Sequence, residues 1–283
     1  MFNSTLKKEA LRIHQETFES YKNSYEIMCQ ACKMLYDVRT ESVKTIQIVQ
    51  TVINSIANTP KEYDTRLGKI GQELKKFRET EEYAEEAYHA SLKAGVNIAE
   101  GFAAGMGVAA MAPTALMSIA TTFGTASTGT AISALSGAAA QKAAVAWLGR
   151  TFAGFAVKSG AGMAVGEAFL ALAGPIGWGI TVASTGISLI SLNNKNRKIA
   201  DNAVEEAKEM AKMRESLDET TEKVNSLKEQ TLMIWNDMNR QKNDILNMMN
   251  ADYTSLTDDE KYFLGSIVNH TLTLSELLNK TIQ

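Results

Sequence analysis

The chain has 283 residues, of which 45% are hydrophobic and 22% are charged, and its formal net charge at pH 7 is -3. These proportions are those of an ordinary globular protein. The weak negative charge excludes the general attraction to phosphate groups on which nucleic-acid binding depends, so nucleic acid is not an expected partner.

Glycine and charge are distributed unevenly along the chain. Sixteen of the 19 glycines lie between residues 95 and 186, and residues 101–141 and 168–194 contain no Asp, Glu, Lys or Arg. We therefore divide the chain into an N-terminal helical arm (1–92), an apolar glycine-rich region (93–194), a return helical arm (195–250) and a C-terminal capping helix (251–283). The arms lack the alternation of a strand, so the predicted fold is all-α: an elongated helical bundle with coiled-coil arms and a central glycine-rich apolar helical hairpin.

The first residues of the chain do not resemble a signal peptide. Lys7, Lys8, Glu9 and Arg12 fall where a signal peptide needs an uninterrupted apolar core. We expect synthesis in the cytoplasm without a cleaved leader, and association with a membrane when the protein is active.

Apolar residues recur at steps of three and four from about residue 3 to residue 58. This spacing predicts a heptad seam on one face of a helix about 80 Å long, interrupted at Arg39 and Ser42. Thr59-Pro60 predicts a break, after which a second helix begins. The predicted seam consists of Leu11, Phe18, Tyr21, Tyr25, Met28, Cys32, Leu35, Ile46, Val49, Ile53 and Ile56.

The central region contains two charge-free runs, and each is longer than the roughly 20 residues that a membrane-spanning helix needs. Lys195, Arg197 and Lys198 follow the second run and suit a headgroup boundary facing the cytoplasm. The expected membrane-inserting residues are Phe102, Met106, Phe169, Leu170, Leu172, Ile176, Trp178, Ile180, Ile187 and Leu189.

Small residues recur at four-residue spacing in the same region, which favours close helix packing in lipid. Gly101 pairs in this way with Gly105, and Gly162 with Gly166. Four charged residues lie between the two charge-free runs and are candidates for the lining of a pore, because their burial in lipid is costly. They are Lys142, Arg150, Lys158 and Glu167, and an alternative is that they mark a wetted loop between two apolar helices.

Two further interpretations of the central region stay open. An Ala- and Gly-rich segment is also compatible with the close-packed interior of a large soluble bundle. A third possibility is that the arms shelter an apolar hairpin in a soluble form and release it at a membrane.

The return arm repeats the heptad spacing, from Ile199 through Met210, Leu217 and Val224 to Met248. Thr257 and Glu260 then form a capping-box pattern, which predicts the start of a last short helix that packs back on the bundle.

The order of long helix, second helix, apolar hairpin and long return helix resembles the α-helical pore-forming toxins of the cytolysin A and haemolysin B kind. The resemblance concerns the layout of the whole chain and carries no individual functional residue across. It implies an apolar head that is held against a helical rod and inserts during assembly. Residues 124–140, followed by Trp147-Leu148-Gly149, separately resemble a glycine-rich module that recurs in bacterial proteins.

No catalytic, metal or cofactor site is predicted, and no small-molecule substrate is expected. Cys29 and Cys32 lack further ligands at zinc spacing, so Cys32 is interpreted as a packing residue of the seam and His14 as an interior residue. The leading hypothesis is a bacterial pore-forming or membrane-perturbing effector, acting as a homo-oligomer or with related subunits. The alternative is a coiled-coil scaffold or adaptor, with a membrane anchor and no pore or with a soluble middle.

Overall fold

The computed structural model describes residues 2–93, Ile132 and residues 192–280. Within these residues every regular element is a helix, and the one extended contact is an isolated bridge between Ala57 and Asp252, so the all-α prediction is confirmed. The helices are α1 (Phe2–Ser55), α2 (Lys61–Lys93), α3 (Leu192–Arg240), α4 (Lys242–Asn247) and α5 (Asp258–Leu278), with a 3-10 turn at Tyr253–Ser255.

The predicted seam of α1 is buried along most of its length. Tyr21, Met28, Cys32, Leu35, Ile46, Val49, Ile53 and Ile56 form part of the core, while Leu11 and Phe18 are half-buried. Ala203, Met210, Leu217, Val224, Leu227, Met238, Ile245 and Met248 are buried in the same way on the return arm. The heptad spacing therefore predicted the buried faces of both arms, because apolar side chains three and four residues apart share one side of a helix.

Helices α1 and α3 lie side by side and run in the same direction. His14 contacts Glu206, and Thr45 lies against Trp235, so the partner's number rises along with the α1 residue number. The parallel bridge from Ala57 to Asp252 continues this order past the helix ends. The two helices thus form a parallel pair, and the residues that meet across it are about 190 positions apart in the sequence.

Helix α2 turns back along α1, as the hydrogen bond from Tyr36 Oη to Glu81 Oε1 records. Helix α5 lies beside α2 in the same direction, since Arg66 contacts Asn269 and Glu73 contacts Asn279. Near the turns at residues 55–61 and 241–257 the bundle therefore holds α1 and α3 pointing one way and α2 and α5 pointing the other. Its core joins residues from all of them, including Ile46, Ile70, Met238 and Ile267.

The start of α5 is fixed by the predicted capping box. Thr257 accepts a hydrogen bond from the backbone N–H of Glu260, and Glu260 in turn accepts one from the backbone N–H of Thr257. These two bonds satisfy N–H groups that a helix start leaves without partners. The capping box and the packing of the last helix on the bundle are both confirmed.

The return arm is less continuous than its spacing predicted. Helix α3 ends at Arg240, and Gln241 leaves helical geometry with φ -90° and ψ 6° before α4 begins. The apolar spacing runs through this turn to Ile245 and Met248, which are both buried. Periodicity alone cannot detect such an irregularity, because the buried face is the same on both sides of it.

Candidate functional site

The end of the bundle where α1 and α3 begin is the place at which the chain re-enters from the glycine-rich region. Ala10, Ala200 and Ala203 form a small buried cluster there, with Leu11 and Val204 packed against it. Alanine side chains let two helix backbones approach closely, because little volume lies between them. The start of α3 is therefore held directly on the first turns of α1.

One polar contact joins the two helices a turn further along. His14 Nε2 lies 2.9 Å from Glu206 Oε2, and the His14 side chain is 19% exposed. His14 thus has a polar partner, as predicted, but it is half-buried and not an interior residue. A half-buried contact of this kind fixes the register of α1 against α3, since sliding one helix by a turn along the other would separate the two groups.

A row of apolar side chains on α1 is left exposed by the other helices of the described part of the chain. Leu6, Ile13, Ile27 and Met34 are between 39% and 49% exposed, and each is separated from the next by seven residues or by fourteen. We call these four residues the exposed stripe. A seven-residue period keeps side chains on one face of a helix, so the stripe is a second apolar face beside the seam.

A second group of polar contacts lies at the C-terminal end of α5. Arg39 of α1 donates a hydrogen bond from Nη2 to the backbone carbonyl of Lys280 at 2.9 Å. Asn279 Nδ2 donates to the backbone carbonyl of Glu73 at 2.9 Å and to its Oε2 at 2.6 Å, and Lys280 Nζ donates to Gln230 Oε1 at 3.3 Å. We call this set of contacts the C-terminal clasp, because it ties the end of α5 to α1, α2 and α3.

Arg39 is the largest fully buried side chain among the described residues. Its burial lowers the pKa of the guanidinium to about 9, and the nearby Cys32 acts in the opposite direction. The side chain is therefore still charged at neutral pH. Burial of a cation is costly unless it is hydrogen-bonded, so the carbonyl of Lys280 is a structural partner and not an incidental neighbour.

The bundle also contains buried hydroxyl groups, and those of Ser42, Thr231 and Thr271 do not form a reactive site. Ser42 Oγ donates to Val38 O at 2.7 Å, and Thr231 and Thr271 each donate to the carbonyl four residues earlier. Each hydroxyl is satisfied within its own helix, which is how Ser and Thr are accommodated in helix interiors. The seam interruptions predicted at Arg39 and Ser42 are thus buried parts of the seam.

The residues predicted to insert, to pack or to line a pore lie outside the described residues. This applies to the inserting set from Phe102 to Leu189, to the packing glycines Gly101, Gly105, Gly162 and Gly166, and to the charged candidates Lys142, Arg150, Lys158 and Glu167. None of the helices in the described part of the chain contains an 18-residue stretch apolar enough to cross a bilayer. Within residues 2–93 and 192–280, no three His, Cys, Asp or Glu side chains come together as a metal site would require.

Two features of this bundle were missed in the sequence. The exposed stripe has a signal in the sequence, namely the seven-residue spacing of its members. The seam beside it contains more apolar residues, and only the seam was predicted. The C-terminal clasp has no local signal, because Arg39 and Lys280 are 241 residues apart. Comparisons of the chain with protein-family models, with curated proteins and with solved structures found no match.

Proposed function

We propose that the protein is a bacterial pore-forming or membrane-perturbing effector whose region from about residue 101 to residue 192 enters a lipid bilayer. The observation that carries the proposal is the pair of charge-free runs at residues 101–141 and 168–194. Each run exceeds the roughly 20 apolar residues that cross the hydrocarbon core as a helix. A surface helix of a soluble bundle needs a polar face, and neither run supplies charges for one.

The described helices support the proposal by the way in which they flank this region. Helix α2 ends at Lys93 and α3 begins at Leu192, and both belong to the same bundle. The 98 residues between them contain five of the 61 charged residues of the chain. A water-compatible bundle thus carries an insert of very different composition, which is the layout expected of a carrier and a membrane-active segment.

A conducting state requires several copies of the chain. One apolar hairpin cannot enclose water, so a pore needs helices from more than one molecule. Lys142, Arg150, Lys158 and Glu167 are the residues proposed to face the water of such a pore, because charge is costly in lipid and is retained where it meets water or a partner.

Flotation with liposomes and release of an entrapped dye test the proposal with the purified full chain. Ile180→Arg places a charge near the middle of the second run, which is expected to oppose insertion by about 3 kcal/mol and to reduce dye release at least tenfold. Met233→Arg is the matched control, because Met233 is a 68% exposed side chain of α3. Leakage that is equal in the Ile180→Arg variant and the control would contradict the insertion of this run.

The alternative is a coiled-coil scaffold or adaptor, and the exposed stripe is the observation that favours it. An apolar face on an otherwise charged helix suits a protein partner as well as a pore assembly. The same experiment separates the two functions. Flotation without dye release indicates a membrane anchor that forms no pore, and the absence of flotation indicates a scaffold with a soluble middle.

A further inference from the structure

The exposed stripe lies between two flanks of different character on α1. Glu9, Glu16 and Gln30 each follow a stripe residue by three positions, Asn23 follows Ser20 in the same way, and all four side chains are exposed. On the other flank Ala10, Ser24 and Ala31 are buried and Thr17 is half-buried. A helix that docks on the stripe can therefore meet the polar flank, whereas the small-residue flank is already committed to the bundle.

The stripe has the same spacing when it is read in either direction. Its positions are centred on Ser20, so that an antiparallel second copy of α1 brings Leu6 against Met34 and Ile13 against Ile27. In an antiparallel helix pair each flank faces its own counterpart, which sets Glu9 opposite Gln30 and Glu16 opposite Asn23. Each carboxylate then meets an amide N–H donor and no like charge.

The two carboxylates are already held in position. Arg12 contacts Glu9 at 2.5 Å and Glu16 at 2.6 Å, which places both side chains along the polar flank. A parallel pairing would instead face this flank with Ala10, Thr17, Ser24 and Ala31, most of which are buried within their own bundle. The distribution of charge and burial thus selects the antiparallel arrangement.

We propose that the exposed stripe is the interface of an antiparallel, two-fold symmetric dimer of this chain. The two-fold axis passes beside Ser20, and the α1–α3 pairs of the two copies lie together as a four-helix arrangement. Such pairing removes from water an apolar face that runs about 42 Å along the helix, from Leu6 to Met34.

One consequence rests on the function proposed above. Antiparallel copies direct the starting ends of their α3 helices in opposite directions, so one bilayer cannot receive the glycine-rich regions of both. The dimer is then the resting form, and the copies separate before insertion.

Sedimentation measures the dimer directly and without lipid. The full chain at tens of micromolar is expected to have twice its chain mass of 30.8 kDa. The double variant Ile13→Glu with Ile27→Glu is expected to sediment as a monomer of unchanged helicity, while Met233→Glu, at an exposed position on α3, stays dimeric. A wild-type monomer at these concentrations, or a double variant that remains dimeric, overturns the proposal.

Disulfide trapping fixes the direction of the pairing. In a background with Cys29→Ser and Cys32→Ala, a mixture of the Leu6→Cys and Met34→Cys variants is expected to form a cross-linked dimer under mild oxidation. Neither variant alone is expected to cross-link, because the antiparallel arrangement separates like positions at the two ends of the stripe. Cross-linking of Leu6→Cys with itself indicates a parallel pair and overturns the proposal.

Dye release from liposomes then tests the resting form separately. The cross-linked dimer is expected to release less than a tenth of the dye that the same sample releases after reduction. Equal release before and after reduction overturns the resting-form consequence and leaves the interface intact. If the chain is a dimer by sedimentation but never binds vesicles, the proposed function fails and the interface stands.

Discussion

Arg39 and Lys280 are 241 residues apart in the sequence, and the guanidinium of the first donates a hydrogen bond to the backbone carbonyl of the second at 2.9 Å. This contact joins the middle of the first helix to the last described turn of the chain. The C-terminal clasp is built around it, and the clasp makes the end of α5 dependent on a side chain of α1.

Arg39→Ala is expected to lower the free energy of unfolding by about 3 kcal/mol, because it leaves a void and removes the donor to Lys280. Arg39→Met should recover most of that loss, since it restores volume without a buried charge. Urea denaturation followed by circular dichroism measures both changes. Lys44→Ala is the control on the same helix, because Lys44 is exposed, and its denaturation midpoint is expected to match that of the wild type.

Gly68→Ala is expected to stabilise the protein by about 1 kcal/mol, because glycine within a helix is less favourable than alanine by that amount. A Cβ at Gly68 meets nothing within 4 Å, whereas a Cβ at Gly265 lies 3.4 Å from Tyr63 Oη. Gly265→Ala should therefore stabilise α5 less than Gly68→Ala stabilises α2. Thermal denaturation of the two variants decides this, and a larger gain at position 265 would contradict the expectation.

Stability is expected to fall as the pH rises from about 10 to about 12. Burial raises the pKa of the Tyr63 phenol from 10.0 to about 12, with a further contribution from Tyr253. The unfolded chain loses this proton near pH 10 and the folded chain retains it until about pH 12, so alkaline solution favours the unfolded state across that interval. Thermal midpoints measured between these pH values should fall less steeply in Tyr63→Phe, whereas Tyr262→Phe, at an exposed position, should leave the slope unchanged.

Gly166→Leu is expected to lower dye release from liposomes several-fold, because a leucine would block the close approach of helices at the Gly162 and Gly166 spacing. The helicity of the arms, measured by circular dichroism, should not change. Gly68→Leu is the matched control, since Gly68 is an exposed glycine of α2. Equal dye release from the two variants would count against glycine-mediated packing in the central region.

The sequence predicted which faces of the arms are buried and did not predict which helices they face. Met28 and Leu217 were assigned to their seams from spacing alone, and both are buried. The parallel direction of α1 and α3 follows from contacts such as that of Thr45 with Trp235, 190 residues apart, which local periodicity does not encode.

The burial of Arg39 is a second feature that the apolar spacing did not predict. A charged residue at a seam position indicates a weak point in the pattern, yet here the side chain is buried and hydrogen-bonded to the distant backbone carbonyl of Lys280. The membrane-inserting and pore-lining residues lie outside the described residues and stay predictions from composition.

The parallel pairing of α1 with α3 has a consequence for synthesis on the ribosome. Glu206, which contacts His14 in the folded protein, is translated 192 residues later. At about 5–20 residues per second this delay is about 10 to 40 s. For most of that interval the nascent chain carries the whole 54-residue sequence of the first helix, while its long-range partner does not yet exist. The part of the α1 seam that packs on α3 therefore stays without its helical partner until translation reaches α3.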